Sequence, residues 1–280
     1  MQGKVVVITG ATSGIGQVAA ERLASMGARI VLVARDQARG QVALARVRAC
    51  SPRDAHRIHF ADLSRLAEMK RVGTDIASAE SRIDVLINNA GALFSSRQVT
   101  DDGLERTFAT NHVAYFVLTH YLRERLIASA PARVVNTASD AHKGATLDFD
   151  DLQSAKGYRG FQVYSRSKLC NILYTRELAR RLAGTGVTAN CLHPGFVATR
   201  FGDQSGGLLS YGLRIAKGVL AISPERGADT LVYLASSPEL AIASGGYFDK
   251  CRPATPSKEA LDDATAKRLW SETAKLARME

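Results

Sequence analysis

A tyrosine and a lysine four residues apart are the side chains of this sequence best suited to proton transfer. Tyr164 and Lys168 lie in the segment YSRSK, and on a helix this spacing places both side chains on one face. A neighbouring ammonium stabilises a phenolate, so we predict that Lys168 lowers the pKa of Tyr164 towards the range of a general acid or base. Many such pairs are only surface neighbours, so the interpretation depends on further residues.

A serine and a small-residue turn are expected at the same place in the fold. Ser139 follows the run VVNTA, which is typical of a strand, and open α/β sheets bind ligands at the carboxyl ends of their strands. Its hydroxyl could bind a substrate carbonyl, or it could cap a turn. The segment Asn88-Asn89-Ala90-Gly91 ends an earlier strand. Its small residues would let a ligand approach the backbone, or they form an ordinary turn.

Residues Thr9–Gly16, TGATSGIG, have the glycine spacing GxxxGxG between a predicted strand and a predicted helix. Glycines allow a sharp turn and a close approach to a pyrophosphate, which the amide groups at the positive end of the helix would bind. An ordinary glycine-rich turn is the alternative. The context on both sides favours a dinucleotide-binding loop.

The next predicted strand ends at Ala34-Arg35-Asp36, about twenty residues beyond the loop, where an NAD site usually has an acidic residue on the ribose 2′-hydroxyl. Arg35 offers a charged donor fork that suits a 2′-phosphate, which favours NADP(H) over NAD(H). Asp36 could instead bind a hydroxyl or face solvent, and Arg35 could be a plain surface charge.

The elements that would position these residues alternate along the chain. Short runs rich in Val, Ile and Leu predict parallel strands covered on both faces, at Lys4–Thr9, Arg29–Ala34, His56–Phe60, Ile83–Asn88, Ala132–Thr137 and Val187–Leu192. Helical stretches are predicted at about Leu104–Ser129, Tyr164–Leu182 and Ser257–Ala277. No repeat or linker divides the chain. We predict a single α/β domain over residues 1–280, a doubly wound parallel sheet (Rossmann fold) flanked by helices.

Composition narrows the class of protein. The chain has 280 residues, 46% of them hydrophobic, with a formal net charge of +10 and four cysteines. The scattered cysteines exclude a disulfide scaffold and fit a reducing compartment, so we expect a cytoplasmic protein. The histidines His112, His142 and His193 lack metal-binding spacing, and Asp150 and Asp151 lack a partner motif, so no metal is expected. The charge alone would permit nucleic-acid binding, but no aromatic-plus-basic cluster supports it.

Five motifs in order, TGATSGIG, NNAG, the serine after VVNTA, YSRSK and HPG (His193–Gly195), resemble the short-chain dehydrogenase/reductases across nearly the whole chain. The chain is most similar to the retinol dehydrogenase-like branch and its relatives, including the dehydrogenase part of WW-domain-containing oxidoreductase. The segments that carry this finer resemblance are Phe149–Gln153, Tyr164–Leu182, Gly184–Thr199, Gly246–Cys251 and Ala266–Trp270.

The resemblance implies roles for individual residues. Tyr164 would donate and accept the proton, Ser139 would orient the carbonyl or alcohol, and Lys168 would bind the nicotinamide ribose. Asn111 would hold the water of a proton relay. The residues implied to contact the dinucleotide, besides Tyr164 and Lys168, are Gly10, Ser13, Gly14, Ile15, Gly16, Arg35, Asp62, Leu63, Asn89, Ala90, Gly91, Pro194, Gly195, Val197 and Thr199.

The chain also departs from these relatives. Only nine residues precede Gly10, so we expect no membrane anchor before the domain, and Trp270 is the sole tryptophan, so no WW module is expected. The apolar segment Phe201–Ile222, at the family's substrate lid, could line a pocket for a bulky lipophilic substrate, touch a membrane or pack as an ordinary helix. The helix starting at Tyr164 is apolar on several sides, which permits a homodimer seam or burial against a neighbouring loop.

Together these residues predict an oxidoreductase that transfers a hydride between NADP(H) and a small-molecule carbonyl or alcohol, with a tyrosine as general acid or base. The alternative is a non-catalytic protein that binds NADP as a sensor or scaffold. The complete set Asn111, Ser139, Tyr164 and Lys168 favours the enzyme, because a pure binding protein has no need of a tuned tyrosine.

Overall fold

The computed structural model describes residues 1–51, 55–195 and 222–280. Within these ranges, eight strands form one sheet in the order β3-β2-β1-β4-β5-β6-β7-β8. Every neighbouring pair is parallel except β7 and β8. The strands are β1 Val5–Thr9, β2 Arg29–Ala34, β3 Arg57–Phe60, β4 Val85–Asn88, β5 Ala132–Thr137, β6 Val187–His193, β7 Tyr247–Asp249 and β8 Arg252–Ala254.

The six predicted strands are confirmed, and so is the doubly wound sheet, because the strand order reverses between β1 and β4. Strands β7 and β8 were not predicted. Each has three residues, which is too short for an alternating or continuous apolar pattern to be recognised. They are joined by a tight turn in which Lys250 and Cys251 both have positive φ angles.

Helices cover both faces of the sheet. They are α1 Gly14–Ser25, α2 Gln37–Cys50, α3 Leu66–Ala79, α4 Arg106–Phe108, α5 Ala114–Ala128, α6 Gly160–Arg181, α7 Pro224–Ser236 and α8 Asp263–Leu276. Successive residues of β1 face opposite ways: Val5 and Val7 pack with α3, α5, α6 and α8, whereas Val6 and Ile8 pack with α1, α2 and α7. This two-sided burial explains why the strands are almost continuously apolar.

Two predicted helix boundaries are wrong. The stretch predicted from Leu104 begins at Arg106 and contains a π-helical turn, Ala109–Val113, between α4 and α5. Helix α6 begins at Gly160 rather than Tyr164, at a position where any side chain would collide with the carbonyl oxygen of Phe94. The glycine that lets the helix start against this loop is a poor helix former, so the sequence pattern hides the start.

Helix α8 confirms the predicted C-terminal helix in a shorter form, capped by Asp262 and preceded by the 3-10 turn Glu259–Leu261. It packs on α6 through Trp270, whose ring lies 5.6 Å from the ring of Tyr174 and 4.8 Å from that of Phe116. The guanidinium of Arg181 lies 4.2 Å from the Trp270 ring.

The apolar residues that suggested a homodimer seam on α6 are buried within the chain itself. Ile172, Leu173 and Leu178 are at most 2% exposed. They belong to the core cluster that also contains Leu269 of α8 and the loop residue Ala145, and the homodimer stays a prediction.

Of the predicted substrate segment 201–222, only Ile222 lies within the described residues. Among the helices of the described ranges, none is long and apolar enough to cross a membrane. Cys170 and Cys191 are buried free thiols, as expected, and burial raises the pKa of the Cys191 thiol to about 12.

Candidate active site

The carboxyl ends of β1, β4 and β5 are joined by one hydrogen-bond network. The Thr9 hydroxyl accepts from the backbone nitrogens of Asn89 (2.9 Å) and Ala90 (3.0 Å). The Asn89 side-chain amide donates to the carbonyl oxygens of Thr9 and Gly10, both at 3.2 Å. Its oxygen accepts from the Thr137 hydroxyl at 3.2 Å. The network fixes the glycine loop, the NNAG segment and the end of β5 relative to one another. All three lie at the carboxyl ends of the strands, where the sequence predicted a ligand.

The glycine loop has the geometry of a phosphate cradle. Gly10 has a φ of +67°, and a Cβ there would lie 2.7 Å from the Ala90 Cα. A Cβ on Gly16 would lie 2.5 Å from the Asn89 side-chain nitrogen. Helix α1 starts immediately at Gly14, and the Ser13 side chain does not cap it. The amide groups of Gly14, Ile15 and Gly16 at the helix start are therefore suited to bind an anion.

Arg35 is exposed directly after β2, where the sequence predicted it. Asp36 caps α2: its Oδ1 accepts from the Arg39 backbone nitrogen at 2.8 Å. This hydrogen bond, opposed by slight desolvation, lowers the pKa of Asp36 below its ordinary value. The sequence did not predict this capping role.

An open groove of about 380 Å³ lies between the glycine loop and α2. Thr12, Ser13 and Gly14 line one side, and Arg39 and Arg46 line the other. Sequence reasoning missed both arginines. The two arginines are seven residues apart on one helix, so both lie on the same helix face. This spacing is the signal that could have identified them.

Lys168 lies at the centre of the predicted catalytic set and is only 3% exposed. Its ammonium donates to the Thr137 carbonyl oxygen at 3.0 Å, and it lies 5.5 Å from the centre of the Tyr164 ring. A Cβ on Gly91 would lie 3.6 Å from Lys168 Nζ and 3.4 Å from Asn111 Oδ1. The structure therefore brings Lys168 close to the Tyr164 ring, and it brings Lys168 and Asn111 close to Gly91, where a Cβ would make ordinary van der Waals contact with both side chains.

The pKa values differ from the sequence expectation. Burial raises the pKa of Tyr164 to about 12, opposed by a side-chain hydrogen bond with Ser139. Burial lowers the pKa of Lys168 to about 7. The expected lowering of the tyrosine pKa by the lysine is not found, because removing the phenol and the ammonium from water disfavours the charged form of each.

Ser139 caps a turn, which is one of the two roles that the sequence left open, and its role towards a substrate carbonyl stays a prediction. Its Oγ accepts from the Ala141 backbone nitrogen at 3.2 Å and so caps the 3-10 turn Asp140–His142. The same hydroxyl forms the hydrogen bond that opposes the rise in the Tyr164 pKa. The Ser139 hydroxyl can accept from the Ala141 nitrogen and donate its proton to Tyr164 at the same time, since a hydroxyl both donates and accepts.

Asn111 lies in the π-helical turn and is fully buried. Its amide donates to the carbonyl oxygen of Ala92 and to the Ser167 hydroxyl, both at 2.9 Å, and its oxygen accepts from the Ala92 backbone nitrogen at 2.7 Å. The side chain thus fixes the backbone just after Gly91. π-helical turns often occur at functional sites, and the role in a proton relay stays a prediction.

The other expected cofactor residues follow β3, follow β6 or lie outside the described residues. Asp62 and Leu63 follow β3, where the Asp62 carboxylate accepts from the Ser64 hydroxyl at 2.8 Å and the Ser64 backbone nitrogen at 3.0 Å. Pro194 and Gly195 follow β6 at the same edge. Val197 and Thr199 lie outside the described residues.

In the part of the chain that the structure describes, no three His, Cys, Asp or Glu side chains form a candidate metal site.

Comparison with known proteins agrees with this geometry. The short chain dehydrogenase family model matches residues 4–206. Human retinol dehydrogenase 13 is 40% identical over 283 residues, covering 99% of this chain and 86% of that protein. Human retinol dehydrogenase 12 is 41% identical over 277 residues, covering 99% of this chain and 87% of that protein.

Among solved structures, an uncharacterized protein from Mycobacterium paratuberculosis is 31% identical with a TM-score of 0.80, covering 100% of this chain and 95% of that chain. An NAD(P)-dependent gluconate 5-dehydrogenase from Beutenbergia cavernae, solved with NADP, is 27% identical with a TM-score of 0.72, covering 89% and 96%. With its doubly wound sheet, glycine loop and Ser-Tyr-Lys set, the chain belongs to the short-chain dehydrogenase family of oxidoreductases, in the branch of the retinol dehydrogenases.

Proposed function

We propose that this protein is an NADP(H)-preferring oxidoreductase that interconverts a lipophilic carbonyl compound and its alcohol, with Tyr164 as general acid and base. The observation that carries the proposal is the convergence of Ser139 and Lys168 on Tyr164: Ser139 shares a hydrogen bond with the tyrosine, and the Lys168 ammonium lies 5.5 Å from the centre of its ring. The Asn89 side chain ties the end of β5, which precedes Ser139, to the loop suited to bind a dinucleotide phosphate.

The residues present fit a nicotinamide dinucleotide. The collisions that any Cβ would make at Gly10 and Gly16 keep the loop backbone bare, and the α1 amide groups attract a pyrophosphate. The dinucleotide supplies the hydride at its nicotinamide C4, and the protein supplies orientation and the proton. Residues 89–91 would line its path, Asp62 and Leu63 would flank the adenine, and Pro194 and Gly195, with Val197 and Thr199, would surround the nicotinamide.

Tyr164 is suited to the reductive direction. With a pKa of about 12 its phenol is protonated at neutral pH and can donate a proton to a carbonyl oxygen that gains a hydride. Ser139, which shares a hydrogen bond with the tyrosine, would orient the same oxygen. Lys168 is held beside the tyrosine by the Thr137 carbonyl. Its pKa of about 7 would rise next to an anionic ligand, because a nearby negative charge favours the ammonium.

Arginine chemistry supports the preference for NADP(H). Arg35 is exposed at the end of β2, and Arg39 and Arg46 line the groove beside the glycine loop. Guanidinium groups bind phosphates through paired hydrogen bonds. The Beutenbergia relative holds NADP, and the actinorhodin polyketide ketoreductase, 25% identical with a TM-score of 0.68, was solved with NADPH.

A lipophilic substrate is supported by Phe161, one turn before the catalytic tyrosine on α6. Its side chain is 53% exposed, and its ring centre lies 6.4 Å from that of Tyr164. An exposed aromatic ring at this place offers an apolar contact to a substrate. The curated relatives are named for retinol, which is a lipophilic alcohol. The scattered free cysteines support a cytoplasmic location.

The test is a screen of purified protein with NADPH and NADH against aldehydes and ketones of graded size, including retinal and steroid ketones, followed by loss of reduced-nicotinamide absorbance. Tyr164→Phe should abolish turnover and leave NADPH binding nearly intact, because only the transferable proton is removed. Tyr233→Phe is the matched control and should behave as wild type, because Tyr233 is a half-buried tyrosine of α7 whose hydroxyl donates to Glu239 rather than to a residue of the candidate site. Substantial turnover by Tyr164→Phe would contradict the proposed role.

Tight NADPH binding without turnover of any carbonyl or alcohol would support the alternative of a nucleotide-binding sensor or scaffold. Sedimentation or light scattering of the same preparation tests the predicted homodimer.

A further inference from the structure

Two histidines outside the expected catalytic set hold the peptide that joins Ser139 to Asp140. His142 is fully buried, and its Nδ1 lies 2.6 Å from the Ser139 carbonyl oxygen. Its Nε2 accepts from the Ser257 backbone nitrogen at 3.0 Å. A ring nitrogen that accepts carries no hydrogen, so Nδ1 carries the proton and donates it to Ser139.

His193, at the end of β6, has the opposite tautomer. Its Nδ1 accepts from the Asp140 backbone nitrogen at 3.1 Å, so its proton lies on Nε2. The peptide that joins Ser139 to Asp140 is therefore held at its carbonyl by one neutral histidine and at its N–H by another. Protonation of His193 would place an Nδ1–H donor against the Asp140 backbone N–H. Protonation of His142 would likewise place an Nε2–H donor against the Ser257 backbone N–H.

Several charged groups surround this pair. Asp140 accepts from the Tyr247 hydroxyl and pairs with Lys143, both at 2.9 Å. His142 is influenced by Asp140, Lys143 and Glu259, and His193 by Asp140, Asp249, Lys143 and His142. For both rings burial outweighs the nearby carboxylates and lowers the pKa below the ordinary 6.5. Both rings are neutral at pH 7.

We propose that His142 and His193, as neutral imidazoles, are positioning residues that hold the Ser139 hydroxyl in register with Tyr164, and that protonation of either ring displaces Ser139 and stops carbonyl reduction. This inference rests on the proposed function. It predicts an acid limb in the pH profile that the catalytic groups themselves do not produce. In reduction Tyr164 must be protonated and Lys168 must be charged, and acid favours both forms.

The kinetic test measures kcat and KM for NADPH-dependent reduction of one active aldehyde from neutral pH down to the limit of folding. For wild type, kcat should fall by about tenfold per pH unit below the pKa of the first ring to titrate, and burial places that pKa lower than the ordinary 6.5. Asparagine keeps the needed group without titrating: its nitrogen can replace His142 Nδ1, and its oxygen can replace His193 Nδ1. The double variant His142→Asn/His193→Asn should lose the limb.

Alanine at either position should lower kcat by about tenfold at neutral pH, the scale of one lost hydrogen bond, with the KM for NADPH little changed. His120→Asn, an exposed histidine on α5, is the matched control and should keep the wild-type profile. Imidazole nitrogen NMR of labelled wild type should show Nδ1–H for His142, Nε2–H for His193 and neutral rings at pH 7. This measurement needs no variant to fold.

The outcomes separate the two proposals. An active wild-type enzyme whose acid limb persists unchanged in the asparagine double variant, or whose histidines have other tautomers, overturns this inference and leaves the proposed function standing. Loss of the limb in the double variant, with the expected tautomers, supports it. A wild type that reduces no carbonyl overturns the proposed function and this inference together.

Discussion

Replacement of Arg35 by alanine should weaken the preference for NADPH over NADH by about tenfold. A hydrogen bond to a charged group contributes about 1.5–3 kcal/mol. Because Arg35 is exposed after β2, water screens the contact, and the lower value of about 1.5 kcal/mol applies. At about 1.4 kcal/mol per factor of ten, this corresponds to roughly a tenfold change in kcat/KM for NADPH, with that for NADH nearly unchanged.

Arg39 provides a graded comparison. It lines the groove beside the glycine loop but also pairs with Asp36 at 3.7 Å. Giving up part of an exposed ion pair costs about 0.5 kcal/mol, so about 1 kcal/mol remains, and Arg39→Ala should reduce the preference by roughly fivefold. Arg48 lies exposed at the end of the same helix, outside the residues that line the groove, and Arg48→Ala is the matched control.

The assay is steady-state kinetics with both nucleotides at fixed ionic strength and a fixed carbonyl substrate. The double variant Arg35→Ala/Arg39→Ala should approach the product of the single effects if the two groups act independently. Equal losses for NADPH and NADH in Arg35→Ala would refute a contact with the 2′-phosphate, and an Arg48→Ala effect of the same size would refute the assignment to the groove.

Three further substitutions test the fold and the substrate site. Gly10→Ala should lower the free energy of unfolding by about 2–5 kcal/mol, because the positive φ disfavours a side chain and the added Cβ collides with Ala90. Thermal unfolding and NADPH titration measure this effect, and a variant with wild-type stability and affinity would contradict the close packing. Trp270→Ala should lower the free energy of unfolding by about 2–3 kcal/mol in urea, less than for a fully buried tryptophan, and no change would show that α8 does not stabilise α6. Phe161→Ala should reduce kcat/KM about tenfold for a long-chain aldehyde and spare a short one, through loss of about 1.5 kcal/mol of apolar contact; equal losses for both aldehydes would exclude a substrate contact.

Local pattern was sufficient for much of the architecture. The apolar runs predict six of the eight strands, and their composition predicts helices on both faces. The runs that succeeded are those whose burial on both faces leaves a continuous apolar signal. Strands β7 and β8 fall below that limit because each pairs through three residues. The start of α6 could not be predicted from the sequence, because glycine is a poor helix former and the close packing of Gly160 against Phe94 is a tertiary contact.

The candidate site shows the same division. Residue types and order were enough to name Ser139, Tyr164 and Lys168, because the spacing on one helix and the position after a strand are local facts. Their pKa values were not predictable, since these depend on how much water the fold removes: burial raises that of Tyr164 to about 12 and lowers that of Lys168 to about 7.

By itself the sequence determined the order of the long strands and helices, the glycine loop and the identity of the candidate catalytic side chains, because each is expressed within a few neighbouring residues. Only the tertiary structure decided what these residues contact. It placed Asp36 on the end of α2, Trp270 against α6, and His142 and His193 around Ser139. The last of these contacts joins β6 to the turn after β5 across 53 residues of sequence. Packing of the whole chain creates such contacts, and no local pattern records them.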